Sequence, residues 1–476
     1  MQKKSSYRWR DTAMIFAACM LIVALFLSIS VSAPALAQGQ GEPTPTPNDP
    51  IWRAFNAARD AIEEERSVDL YLVRQYTFEQ EENQHGIDWE CDEDIPAVDV
   101  RPVYFGWTFR ITDLGATTHQ ARVSFDLSAV AVCDKVTESS SPAPNPASAA
   151  NNPDLPAPVA GSGATGSFEL GGHALGLSQA AVDAMRQSGM TWVKYQLRWS
   201  LGDGTGDAQN MINDAHGKGF KLLLGIVGYP NQMGNFDSYI AAYSDYVARV
   251  AALGVDAIEV WNEPNIDREW PTGQVSGANY TRLLASAYNA IKTANRNVMV
   301  VSGAPSPTGY AGSAGCIDIL CNDDVFMRQM ADAGAASYMD CLGLHYNEGI
   351  VSPGTNAGDP RGEYPTYYFS SMLQRGHGLF SSVPVCWTEL GYLSGESMGS
   401  PIPSFFSWAS NVTLSQHASW LADAASRSAQ TGYVRLMIIW NVNFSLWDPD
   451  PMGGYAIIRP DGTCPACSQL GAVMGK

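Results

Sequence analysis

The chain has 476 residues, 45% of them hydrophobic and only 16% charged, with a formal net charge of −19. That is apolar enough for a large core and too long for one ordinary compact unit, so two folded units joined by linkers are expected. The first 37 residues carry a net +3 and the remainder −22, which argues against nucleic acid or an anionic membrane surface as partner and leaves neutral ligands open.

The N-terminus has a basic start (Lys3, Lys4, Arg8, Arg10), an apolar run from Ala13 to Ala33, and then Ala35-Leu36-Ala37-Gln38. This pattern reads as a signal peptide over 1–37, cut after Ala37, which makes the protein secreted or cell-surface associated and leaves it off the membrane after cleavage. The apolar run is also long enough to span a bilayer, so an uncleaved anchor is the alternative. Residues 38–50, with Pro43-Thr44-Pro45-Thr46-Pro47, form a stiff polar linker. Residues 51–135 read as a small α+β domain. A helix carries Trp52, Phe55, Ala58 and Ile62 on one face, and alternating segments follow at Val68 to Tyr76, Val98 to Ile111 and Gln120 to Val132. This unit shows no chemistry, and His85 stands alone in an acidic loop. A Ser-, Pro-, Ala- and Gly-rich stretch at 136–166 is a second linker.

From 167 to 476 short apolar runs alternate with helical patterns. The strand candidates are 167–172, 191–199, 220–227, 255–262, 297–304, 339–345, 383–390 and 434–442. Helical stretches such as Gln179 to Ser188, Tyr239 to Leu253, Tyr280 to Asn295 and Ser415 to Gln430 lie between them. Eight such units predict a (β/α)8 TIM barrel, an α/β fold. A doubly wound sheet is the alternative, but no Gly-rich phosphate loop follows any strand. Eight cysteines lie beyond the leader, and an even count in an exported chain points to disulfides. Neighbourhood suggests Cys91–Cys133, Cys316–Cys321, Cys341–Cys386 and Cys464–Cys467.

A barrel of this kind places its active site at the C-terminal ends of the strands. The second strand offers Lys194, Gln196 and Arg198 on one face; the fourth ends in Asn262 and Glu263; the sixth in His345, Tyr346 and Asn347; the seventh in Glu389; the eighth in Trp440 and Asn441. Lys194 and Glu259 can alternatively pair with each other inside the barrel. Glu263 lies in Trp261-Asn262-Glu263-Pro264-Asn265, and Glu389 follows 126 residues later. Two carboxylates at two strand mouths are the equipment for cleaving a glycosidic bond. Trp199, Trp261, Trp270, Trp387, Trp440 and Trp447 lie at or just past strand ends, where rings can stack on sugar faces or simply pack the core. The long loop from Asn347 to Tyr367 could wall a cleft. The seven histidines show no paired metal-ligand spacing, and neither a metal nor a cofactor is expected.

The order and type of these residues resemble the clan A retaining glycoside hydrolases, and Trp-Asn-Glu-Pro is most like families five and thirty-nine. The resemblance covers about 167–470. It implies Glu263 as acid/base and Glu389 as nucleophile, Asn262 as partner of the hydroxyl next to the reacting carbon, and Trp440 as a sugar platform. It implies His345 and Tyr346 lining the site, with Lys194 and Arg198 in binding roles, and a polysaccharide or oligosaccharide substrate. Two departures are visible. Such enzymes often carry Arg where Lys194 stands, and His-x-Tyr where this chain has His345-Tyr346-Asn347. The chemistry itself asks for a neutral, raised-pKa Glu263 facing an ionised Glu389 across about 5–5.5 Å. A non-catalytic carbohydrate-binding barrel and a metal hydrolase are the rival readings.

Overall fold

The computed structural model describes residues 50–70, 73–83, 104–113 and most of 115–138, then 155–476 apart from three positions near 164. The leader, the first linker, His85 and Cys91 (and with it the Cys91–Cys133 pairing) lie outside the described residues.

The small domain opens with helix α1 (Pro50–Arg66), followed by strands β1 (Val73–Asn83), β2 (Tyr104–Asp113), β3 (Thr117–Ser124), β4 (Val130–Val132) and β5 (Thr137–Glu138). The strands form an antiparallel sheet in the order β1-β2-β3-β4, with β5 also on β3. Ala54, Phe55, Ala58 and Ile62 recur at helical spacing and bury against Trp107, Phe109, Ile111, Ala121 and Val123. The segment read as one strand from Gln120 to Val132 is two. The chain turns at Leu127, whose φ is +61° and whose N–H donates to Ser124 O at 2.9 Å. The second linker is held down in its latter part. Asn289 donates to Ala157 O and accepts from Val159 N, while the Tyr338 hydroxyl donates to Pro156 O.

The remainder is a barrel. Its strands are β6 (Glu169–His173), β7 (Trp192–Arg198), β8 (Lys221–Val227), β9 (Ala257–Val260), β10 (Met299–Ser302), β13 (Leu342–Tyr346), β14 (Val385–Leu390) and β15 (Val434–Ile439). A two-stranded hairpin, β11 (Cys316–Ile317) with β12 (Leu320–Cys321), interrupts the series. The intervening helices are α2 (Gln179–Gln187), α3 (Gly206–Gly217), α4 (Phe236–Ala252), α5 (Gly277–Ala294), α6 (Asp323–Asp332), α7 (Phe369–Leu379) and α8 (Leu414–Gln430). All neighbouring pairs are parallel, in the order β10-β9-β8-β7-β6-β15-β14-β13. A bridge between Val301 and Cys341, with Asp340 N donating to Val300 O and Ser302 N to Cys341 O, joins the two ends into a ring. Every expected strand is present, and the fold is the (β/α)8 barrel.

Side chains alternate between two environments, as strand geometry requires. Trp192, Leu223, Ala257, Met299, Val301, Cys341, Cys386, Leu436 and Ile438 fill the lower interior. Leu342, Leu344, Tyr346 and Trp387 face outward into the layer shared with the helices. Among the described residues three expected disulfides are formed: Cys316–Cys321 across the hairpin, Cys341–Cys386 between the starts of β13 and β14, and Cys464–Cys467. The small domain docks beside the start of β15 and the end of α7. Tyr433 donates to Val73 O at 2.9 Å, and Tyr76 lies on Gly378, where a β-carbon would come within 2.7 Å of its ring. That is the N-terminal end of the barrel, opposite the mouth where Glu263 and Glu389 stand.

Candidate active site

The site grows upward from the apolar layer. The next inward position on β7 is Lys194 and on β9 is Glu259, both fully buried and 2.8 Å apart. Opposite charge at this distance holds the pair together. Gly225 makes room for it; an added β-carbon there would sit 3.2 Å from Glu259 Oε2. Burial pushes the Lys194 ammonium down, but Glu259 and Glu389 outweigh it and hold the cation.

Glu389 reaches the same interior by breaking the alternation. Leu344 pairs with Trp387 and His345 with Glu389, so Thr388 is an extra residue on β14, a bulge. Trp387 points outward into the helix layer, and without the bulge Glu389 would follow it two residues on. The bulge re-aims the carboxylate into the mouth. The carbonyl it frees, Thr388 O, accepts from Lys194 Nζ at 3.2 Å, and the same ammonium lies 3.4 Å from Glu389 Oε1. Asn347 Nδ2 donates to the other oxygen, Oε2, at 3.4 Å.

Glu263 is placed by strained backbone. Trp261 and Glu263 have φ of +78° and +44°, a region non-glycine residues rarely occupy and one that concentrates at functional sites. Trp261 is pinned in the core by its indole N–H on Glu269 O at 2.9 Å, and Glu263 N donates to Ala304 O at 2.9 Å. Asn265 serves as a bracket. It is fully buried and bonds Ser306 O, Ser306 N and Cys321 O, tying the mouth of β9 to the next loop and to the disulfide hairpin. Asn262 is buried with its Oδ1 unpartnered, an acceptor left free beside Glu263.

His345 joins the two carboxylates. Its Nδ1 stands 3.3 Å from Glu263 Oε1 and 3.8 Å from Glu389 Oε2. Two such legs from one nitrogen hold the nearest carboxylate oxygens no more than about 7 Å apart, so the pair can stand on either side of a single bond. Each glutamate keeps 7% of its surface exposed, so both are nearly buried yet reachable from the mouth. Burial pushes the His345 imidazolium down, but Glu389 and Glu263 raise it past its ordinary value. Glu263 departs from the expected raised pKa. Burial pushes it up, but the His345 contact, Arg268 and Ser306 outweigh this and bring it to about 2. The first cause of the lowering is His345, and a guanidinium adds to it. Arg268, five residues on, closes directly onto Glu263 Oε2.

The other expected residues divide. Trp440 is half-buried at the mouth, with the His173 ring edge-on at 4.9 Å and Phe444 at 4.9 Å. Tyr346 does not line the site. It is fully buried on the outer face of β13 among Phe369, Trp387 and Tyr392, and its hydroxyl donates to Tyr367 O. Arg198 stands one step removed, clamping Glu269 with contacts of 2.7 and 2.8 Å, and Glu269 in turn lies 3.7 Å from Arg268. Trp199, Trp261, Trp270 and Trp387 are core. In the long loop Tyr364 and Tyr368 are buried, and Arg361 lies over the rings of Tyr367 and Trp408 at 3.9 and 4.6 Å. Sequence reasoning missed His173, at the end of β6 with Nδ1 3.8 Å from Glu389 Oε1, as well as Asn347 as a carboxylate partner and Arg268. His173 is the last residue of the first barrel strand, at the mouth that the other site residues also occupy.

No family model and no curated protein matches the chain. Among solved structures, an endo-β-1,4-glucanase of Xanthomonas axonopodis pv. citri is 12% identical, with a TM-score of 0.42 over 64% of this chain and 98% of its own. An endoglucanase of Thermotoga maritima is 11% identical, with a TM-score of 0.40 over 64% of this chain and 96% of its own.

Proposed function

We propose that the protein is a secreted glycoside hydrolase that cleaves a β-linked glycan with retention of configuration. The observation that carries the reading is the pair Glu263 and Glu389, presented by two strand ends to one buried histidine at a barrel mouth. In this reading Glu389 attacks the anomeric carbon while Glu263 gives its proton to the departing oxygen, leaving a glycosyl ester on Glu389. Glu263, now a carboxylate, takes a proton from water as that water attacks the same carbon and frees Glu389. Lys194 and Asn347 hold Glu389 in line, and His345 fixes the spacing of the two. Asn262 Oδ1 accepts from the hydroxyl beside the reacting carbon, and Trp440 supplies a ring for a sugar face.

The test is turnover of aryl β-glycosides and of soluble β-glucans, mannans and xylans, followed by trapping with a 2-fluoro-glycoside and mass mapping of the adduct. The expected adduct sits on Glu389, Glu389→Gln is inactive, and Glu263→Gln loses about 10²–10⁴-fold in rate. A wild type silent across the panel, or an adduct on another residue, refutes the reading.

A further inference from the structure

The Glu263–Arg268 contact stands against what an acid catalyst needs. Arg268 belongs to the loop after β9, and 65% of its side chain is exposed, yet its guanidinium closes on the oxygen of Glu263 that His345 leaves free. A proton donor for a leaving group has to carry its proton on an oxygen that faces the substrate. Oε1 is turned to His345, so Oε2 is the oxygen available, and Arg268 covers it.

The arginine also has somewhere else to go. Its Nε is already 3.7 Å from Glu269 Oε1, and Glu269 is buried and fixed by Arg198. Asp450, in the loop after β15, is within electrostatic reach of both Arg268 and Glu263. We propose that Arg268 is a displaceable counter-ion of Glu263: it caps Oε2 in the free protein and shifts onto Glu269 and Asp450 when a glycan enters, releasing that oxygen to carry the proton for the departing sugar. Arg268 is then a positioning residue that acts through Glu263. The proton comes from solvent as the guanidinium leaves, passes to the glycosidic oxygen as the bond breaks, and is replaced from the attacking water.

The remaining groups facing Glu263 oppose or support this in known directions. His345 on β13 and Ser306 in the loop after β10 favour its ionised form, as Arg268 does. Glu348 after β13, Glu269 and Asp450 are anions within its reach, each with its own pKa raised in part by Glu263. With the arginine gone, His345 and Ser306 still hold the carboxylate down, and the anions push it up.

The inference rests on the hydrolase reading, and its test separates the two. Rates are measured against pH for wild type, Arg268→Lys and Arg268→Ala. The basic limb of kcat/KM reports Glu263 in the free enzyme, and that of kcat reports it with substrate bound. A nearby opposite charge depresses a carboxyl by about one to three pH units. Arg268→Ala should therefore carry the basic limb of kcat/KM to higher pH, exceeding wild type about tenfold or more there, while the limb of kcat stays where it is. Arg268→Lys should keep the wild-type limb. Coincident kcat/KM limbs for Arg268→Ala and wild type, or a loss of rate at every pH with no movement of the limb, overturn the proposal. Carbon-13 titration of the Glu263 carboxyl, assigned by its loss in Glu263→Gln, decides the counter-ion role without turnover. It should titrate higher in Arg268→Ala, and an unchanged titration overturns the proposal. A wild type with no glycosidase activity sinks the hydrolase reading alone.

Discussion

Replacing Lys194 by Met should cost far more than a lost contact, because of what it leaves behind. Lys194 and Glu259 are both fully buried, with their charged atoms 2.8 Å apart. Removing one member of such a pair strands the other and costs about 3–5 kcal/mol. The double variant Lys194→Met with Glu259→Leu removes both charges. What remains unpaid is the Thr388 carbonyl, which loses its donor at 3.2 Å, and Glu389 Oε1, which loses the ammonium at 3.4 Å; a buried orphan acceptor costs about 1–3 kcal/mol. The double variant should thus be more stable than Lys194→Met alone, with a coupling between positions 194 and 259 of about 2 kcal/mol, read from urea denaturation of all four proteins at pH 7. Activity should not return with stability. Lys194 also supports Glu389 Oε1 at 3.4 Å and ties down the bulge that aims it, and a misplacement of about 1 Å at a reacting group costs about 10²-fold. Costs that add to within about 0.5 kcal/mol would refute the pairing, and a double variant with wild-type turnover would refute the link from Lys194 to the carboxylate.

Removing the Cys341–Cys386 crosslink by Cys341→Ala with Cys386→Ala should lower stability by about 4 kcal/mol on a chain-entropy basis for its sequence separation of 45, and a loss under about 1 kcal/mol in urea would contradict this. Burial pushes Glu169 up, but Lys221 at 2.8 Å and Arg435 at 2.5 Å outweigh it and hold it at about 2. This depressed carboxyl stabilises the fold above its unfolded pKa and ceases to do so as pH falls through 2. Glu169→Gln should therefore be less stable than wild type by about 1 kcal/mol at pH 7 after allowing for solvent screening, with the gap in thermal midpoint closing from about pH 4.5 downward. Tyr346→Phe should cost about 0.5–1.5 kcal/mol for the lost bond to Tyr367 O and leave KM unchanged; a raised KM would return Tyr346 to the sugar site.

The barrel was legible because its strands are buried on both faces. Runs such as Lys221–Val227 and Val434–Ile439 read as continuous apolar segments between helical patterns, and the eight appear where the apolar runs stand. Position along a strand was legible too: His345, Glu263 and Glu389 sit at strand ends, and strand ends form the mouth. Direction was harder. Tyr346 follows His345 by one residue and so faces outward, which strict alternation already implies and the likeness to a motif obscured.

What period and motif could not supply is the set of departures from regularity that aims the carboxylates. Glu389 shares its parity with the outward Trp387 and would point into the helix layer but for the extra residue at Thr388. Glu263 projects from a turn whose φ values at Trp261 and Glu263 are both positive. Neither bulge nor turn is written in residue type, since Thr, Trp and Glu adopt such backbone only under tertiary constraint. Here the constraints are the Lys194 ammonium on Thr388 O, the Trp261 indole on Glu269 O, and the Asn265 bracket. The same turn brings Arg268 back over Glu263. An arginine five residues downstream in a loop carries no sequence signal of that return, although it joins His345 in holding Glu263 ionised. Asn265 bonds Ser306 and Cys321 and neither carboxylate, so Asn265→Ala should lower kcat by loosening the Glu263 turn alone, and an unchanged kcat would refute the bracket.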